Sequence, residues 1–161
     1  MNTTVNMDGS SRNTESWLPL LELATREVFE IMLGCKLEAP PATVAVRGEF
    51  TAMVGLAGQL CGLLTLRCTS RSAAAMTGKM LNLDASEVHE QVWDAIGEVA
   101  NMIAGNFKNK LTGISDSCML SVPTVISGSD YDYHSMADTG PLEIILGFEG
   151  APISVAVEIH S

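Results

Sequence analysis

The chain has 161 residues, of which 47% are hydrophobic and 17% charged, and its formal net charge is −10. One domain of this size buries roughly 70% of its unfolded surface, and the acidic balance speaks against nucleic acid or an anionic membrane as partner. No apolar run reaches the ~18 residues of a transmembrane helix. The polar start MNTTVNMDGSSRNTES lacks a hydrophobic signal region, so a cytoplasmic protein is expected, with a disordered tail over 1–16 and one domain over 17–161.

From residue 17 onward Trp17, Leu20, Leu21, Ala24, Val28, Ile31 and Met32 recur at helical spacing and predict a first helix ending near Leu33. Ser16 is its expected cap, Pro19 fits its first turn, and Gly34 is placed to end it. After the Ala39-Pro40-Pro41-Ala42 linker, strands are expected at Thr43–Phe50, Ala52–Leu56 and Leu60–Arg67, with Ala57-Gly58-Gln59 as the turn between the last two. Ser70 or Ser72 opens a short helix reaching Leu81, and Ser86 caps a long helix that ends near Leu111–Gly113. Three more strands follow: Ser117–Ile126, interrupted by Pro123, then Leu142–Phe148 and Ile153–Ile159, the last two joined by a hairpin turn. The Asp-, Ser- and Tyr-rich stretch from Gly128 to Pro141 reads as an exposed loop.

The four cysteines show no C-x-x-C pairing and no His at ligand spacing, so a zinc site is not expected. Three of them lie in apolar segments, where a reduced Cys acts as a small core residue. His89, His134 and His160 are scattered. The order of elements suggests pseudo-duplicated helix-plus-three-strand units, hence an α+β fold with long helices packed on a mostly antiparallel sheet.

The long helix carries the chemistry. Val92, Ile96, Val99, Ile103 and Phe107 form its buried stripe, and at about 100° per residue Asp94, Glu98, Asn101 and Gly105 fall together on the opposite face. Glu98 and Asn101, three positions apart, are neighbours on the helix surface and present a charge and an amide to the same outside object. Gly105 costs about 1 kcal/mol of helix stability relative to Ala, which suggests a smooth patch where a partner comes close.

The string EVANMIAGNFK, with its E-x-x-N pair and Ile-x-Gly-Asn run, resembles the signature helix of CheX-type phosphatases. These belong to the CheC/CheX/FliY group of bacterial chemotaxis, which dephosphorylates the aspartyl-phosphate of response-regulator receiver domains. The SCMLSVPTVISG segment also looks family-like, and the resemblance extends over roughly 17–158. It implies a CheC-like fold, with Asn101 positioning the attacking water and Glu98 pairing with the receiver's active-site Lys. It also implies that the receiver supplies the Mg²⁺, that the chain needs no cofactor of its own, and that the protein is a homodimer.

Asp94, Gly105 and Lys108 are the candidate partner contacts, although a carboxylate at Asp94 also suits the helix dipole. CheC-like members carry two E-x-x-N sites and CheX-like members one. Sliding the first helix on the long one sets Glu22 against Glu98 and Thr25 against Asn101, as a lapsed copy would. The alternative is a noncatalytic receiver-binding or flagellar-switch-like scaffold module. A small-molecule hydrolase has little support, since neither a G-x-S-x-G elbow nor a G-x-x-x-x-G-K-[ST] loop is present.

Overall fold

A computed structural model describes residues 14–41, 46, 48–111, 113, 117–137 and 140–160. The tail expectation therefore lies outside the described residues up to 13, while a 3-10 turn over Thr14–Trp17 leads directly into helix α1, Leu18–Met32. That lead-in moves the cap position to Trp17, which makes no side-chain cap bond. Gly34 ends it as expected: its φ of 61° is left-handed, and the Cys35 N–H returns to the Phe29 carbonyl at 3.0 Å.

Half of the strand expected at 43–50 falls outside the described residues, and Val46, Gly48 and Glu49 are not in a strand, so only its last residue, Phe50, is extended and opens β1, Phe50–Gly58. β1 pairs antiparallel with β2, Cys61–Cys68. Gly58 makes the turn at φ 132°, where an added Cβ would sit 1.7 Å from the Ser117 carbonyl oxygen. Helix α2, Ser70–Leu81, is capped by Thr69 rather than by either serine, because the Thr69 Oγ1 accepts the Ser72 N–H at 3.1 Å.

The long helix, α3, spans Gln91–Asn109 and starts later than Ser86 implied. Asp84 and Glu87 form a capping box that closes a separate 3-10 turn, Ala85–Glu87, and the extended backbone at Val88 breaks the path. Ser86 sits inside that turn with its N–H bonded to Asp84.

The strand expected around Pro123 is split into β3, Cys118–Leu120, and β4, Thr124–Ser127, both antiparallel to β1. Pro123 has no N–H for the ladder. Ser121 bridges the gap instead: its N–H donates to the Gly55 carbonyl at 2.9 Å and its Oγ accepts the Gly55 N–H at 2.8 Å. β5, Leu142–Phe148, and β6, Ala151–His160, are joined by Glu149 and Gly150, both at positive φ, the geometry a two-residue hairpin requires.

The sheet order is β3–β1–β2–β6–β5, with β4 also on β1, and every pairing is antiparallel. One face carries Ala52, Val54, Leu64, Leu66, Val155 and Val157, all buried under the helices. α3 lies centrally against β1, β2 and both other helices, and α1 reaches β5, where Phe29 meets Phe148 edge-on at 5.5 Å. Cys68 and Cys118 belong to this core and Cys35 packs against it, while Cys61 is exposed. Burial pushes the Cys68 thiol up to about 12.

The opposite face holds buried Thr51, Thr65, Ser154 and Glu158. The segment expected to be an exposed loop runs across it. Tyr131 bonds Thr51 and donates to the Gly48 carbonyl at 2.8 Å; Tyr133 donates to Glu158 Oε1 at 2.9 Å beneath the Arg67 guanidinium. Buried polar groups need partners: the two phenols supply them to Thr51, Thr65 and Glu158, which is why the segment lies down, while Ser154 donates to Glu143 at 2.9 Å.

Candidate functional site

α3 buries Val92, Ile96, Val99, Ile103 and Phe107, as its spacing predicted, together with Ala95, Gly97, Ala100 and Ala104. The β3–β4 run lies along one flank. A Cβ at Gly97 would stand 3.4 Å from Pro123 Cβ and Val125 Cγ2, whereas one at Gly105 would meet Leu120 Cδ1 at 3.8 Å. The close approach along this helix is therefore made by the chain's own strands. Gly105 is half-buried beside Leu120, and a methyl group there would make ordinary contact.

The second half of the signature string is engaged inside the molecule. Asn106 Nδ2 donates to Glu27 Oε2 at 2.8 Å and to the Ala24 carbonyl at 3.4 Å, and Lys110 pairs with Glu27 at 2.9 Å. The Asn106 hydrogen bond, with that of Lys110 next, holds the Glu27 carboxyl below the usual carboxylate range. Lys108 Nζ donates to the Cys118 carbonyl at 2.7 Å, tying the helix end to β3. These contacts fix α3 against α1 and the edge strand.

Glu98 and Asn101 differ from all of these. Glu98 is exposed and Asn101 half-buried, and among the described residues neither side chain has a hydrogen-bond or ion-pair partner. No described residue engages this amide and this carboxylate, one helical turn apart, so both are available to an outside group. Asp94 is exposed one turn before Glu98. A groove of about 490 Å³ opens beside Glu98, lined by Trp93, Asp94, Gly97 and Glu98 of α3 and by Val122, Pro123 and Val125 of the β3–β4 run.

The sequence pattern did not signal Trp93 or Val122 as groove walls. Trp93 falls outside the apolar stripe, and its indole leans on Phe50 with ring centroids 5.8 Å apart. Val122 enters only through the pairing of β3 and β4 with β1.

The proposed counterpart on α1 does not form a second site. Glu22 pairs with Arg26 at 3.0 Å, and Thr25 is fully buried with its Oγ1 donating to the Leu21 carbonyl at 2.8 Å. The register that matched the two helices in sequence turns Thr25 into the core, where Asn101 is turned partly outward.

The fold and this site define a class. A family model described as chemotaxis phosphatase CheX matches residues 50–146, and the chain belongs to the CheX family. The CheY-P phosphatase CheX of Thermotoga maritima is 29% identical over 94 residues, covering 56% of this chain and 61% of that protein. The chain thus spans less than two thirds of the length of that curated relative.

Among solved structures, the chemotaxis protein CheX from Vibrio vulnificus superposes with a TM-score of 0.78 at 19% identity, covering 93% of this chain and 100% of that one. The CheX of a CheX-CheY-BeF3-Mg complex from Borrelia burgdorferi gives a TM-score of 0.69 at 23% identity, over 90% and 98% of the two chains. The fold is the CheC-like one, shared also with a FliY structure.

Proposed function

We propose that this protein hydrolyses the aspartyl-phosphate of a CheY-like receiver domain, with Asn101 positioning the attacking water and Glu98 pairing with the receiver's active-site Lys. The observation that carries the reading is the amide of Asn101 beside the carboxylate of Glu98, neither with a partner among the described residues, on a helix whose C-terminal polar groups Asn106 and Lys108 are engaged. The Thermotoga relative is named a CheY-P phosphatase, and the Borrelia CheX is bound to CheY with BeF3 and Mg.

An aspartyl-phosphate is an activated acyl phosphate, so no strong nucleophile is needed. Water attacks phosphorus in line, the bond from phosphorus to the Asp oxygen breaks, and the carboxylate and inorganic phosphate leave. An amide suits the task because it offers a donor and an acceptor without titrating. The receiver brings the phosphorylated Asp and the Mg²⁺. A homodimer joined through a sheet edge belongs to the same proposal, and sedimentation of the purified chain tests it. Among the described residues no helix is long and apolar enough to cross a membrane.

The experiment is phosphate release from each receiver of the source genome, with binding measured in parallel. One receiver should lose its phosphoryl group markedly faster in the presence of this chain. Glu98→Ala should weaken both engagement and rate. Tight binding without accelerated release would make the chain a receiver-binding module and not an enzyme.

A further inference from the structure

We infer that Val122, with Trp93 in the same groove, is the apolar anchor that selects the receiver, taking an apolar side chain of the partner that flanks its active-site Lys. The inference rests on the function proposed above and deepens it. Val122 is 86% exposed, yet its chain neighbours on both sides are held. Ser121 is bonded to Gly55 through both its N–H and its Oγ, the same Oγ donates to the Val122 carbonyl at 3.1 Å, and Pro123 rests on Gly97 of α3. An apolar side chain displayed on a fixed bulge loses little freedom on binding, which is what a docking anchor requires.

The occupant follows from the groove's own geometry. Glu98 and Val122 line the same groove. A receiver that sets its Lys against Glu98 therefore covers Val122 and the 42% exposed Trp93 in the same act. Among the described residues the groove carries the carboxylates of Asp94 and Glu98 and no basic side chain, so its complement is a basic group next to an apolar one. Neither Val122 nor Trp93 reaches the reacting atoms through Asn101, so their contribution belongs to affinity and partner choice and leaves chemistry untouched.

The test uses Val122→Asp, Val122→Leu and Asn101→Ala of the full chain. KM and kcat are measured on the phosphorylated receivers of the source genome, and affinity on the same receivers loaded with beryllofluoride and Mg²⁺. Val122→Asp should raise KM and the dissociation constant at least about tenfold, the worth of one buried aliphatic side chain, with kcat at saturation unchanged. Val122→Leu should bind as wild type does. Unchanged affinity in Val122→Asp, or a fall in kcat with affinity intact, overturns the anchor, and failure of every receiver to bind overturns it together with the function beneath it. If Val122→Asp loses affinity while Asn101→Ala keeps full turnover, the anchor stands and the water-positioning role fails.

Discussion

Asn101 and Asn106 lie five positions apart on α3 and have opposite fates: one amide is free, the other clamps Glu27. In the sequence both belong to one family-like string, and only the packing of α1 separates the unengaged amide from the structural one. The E-x-x-N pair itself was legible because helical spacing fixes which side chains are neighbours. Gly105 shows what spacing leaves out, since it does not reveal that the chain's own Leu120 lies beside this part of the helix. Thr25 shows the same limit. Its alignment with Asn101 suggested a lapsed site, but it lies wholly inside. Thr25→Asn should therefore lower stability by about 1–3 kcal/mol through a poorly satisfied buried amide, read by chemical denaturation, and should create no second activity. A stable variant with added turnover would restore the idea of a lapsed site.

At the scale of elements, α3 is held at its C-terminal half by polar contacts to α1 and β3 and along its flank by Pro123 and Val125. The α1–α3 clamp has a pH signature. Glu27 is held below the usual carboxylate range in the folded state, so its contribution is fully present above its unfolded value and is lost as pH falls through the lowered one. Asn106→Ala removes the largest cause of that lowering. The drop in melting temperature between pH 7 and strongly acidic solution should accordingly be smaller in Asn106→Ala than in wild type; an identical drop would mean that the clamp does not couple to protonation.

The elements themselves were largely readable from apolar period and turn residues, β5 to the residue. Helix starts were not, because several Ser, Thr and Asp side chains compete for each cap. Thr69 and Asp84 prevail over Ser70, Ser72 and Ser86 only through bonds that local sequence does not rank.

At the scale of the whole molecule, the sheet separates two kinds of surface. The helices cover one face and present the Glu98–Asn101 pair beyond it. On the other, the Tyr131–Tyr133 segment lies over buried polar side chains. Composition marked this segment as a loop, and it hid the docking because the partners Thr51, Thr65 and Glu158 are distant in sequence. Tyr133→Phe deprives the buried Glu158 carboxylate of a donor and should lower stability by about 1–3 kcal/mol in chemical denaturation. Phosphatase turnover should stay at the wild-type level, because the segment lies across the sheet from α3; a matching loss of turnover would show that the two faces are coupled.

The central claim rests on the Asn101 amide. The direct measurement is the rate of acyl-phosphate loss from the cognate receiver at saturating Asn101→Ala, with affinity for the beryllofluoride-loaded receiver measured alongside. The account predicts a fall of about 10²-fold or more toward the receiver's own rate, with binding retained. A folded variant that binds and still accelerates phosphate release as wild type does would contradict it.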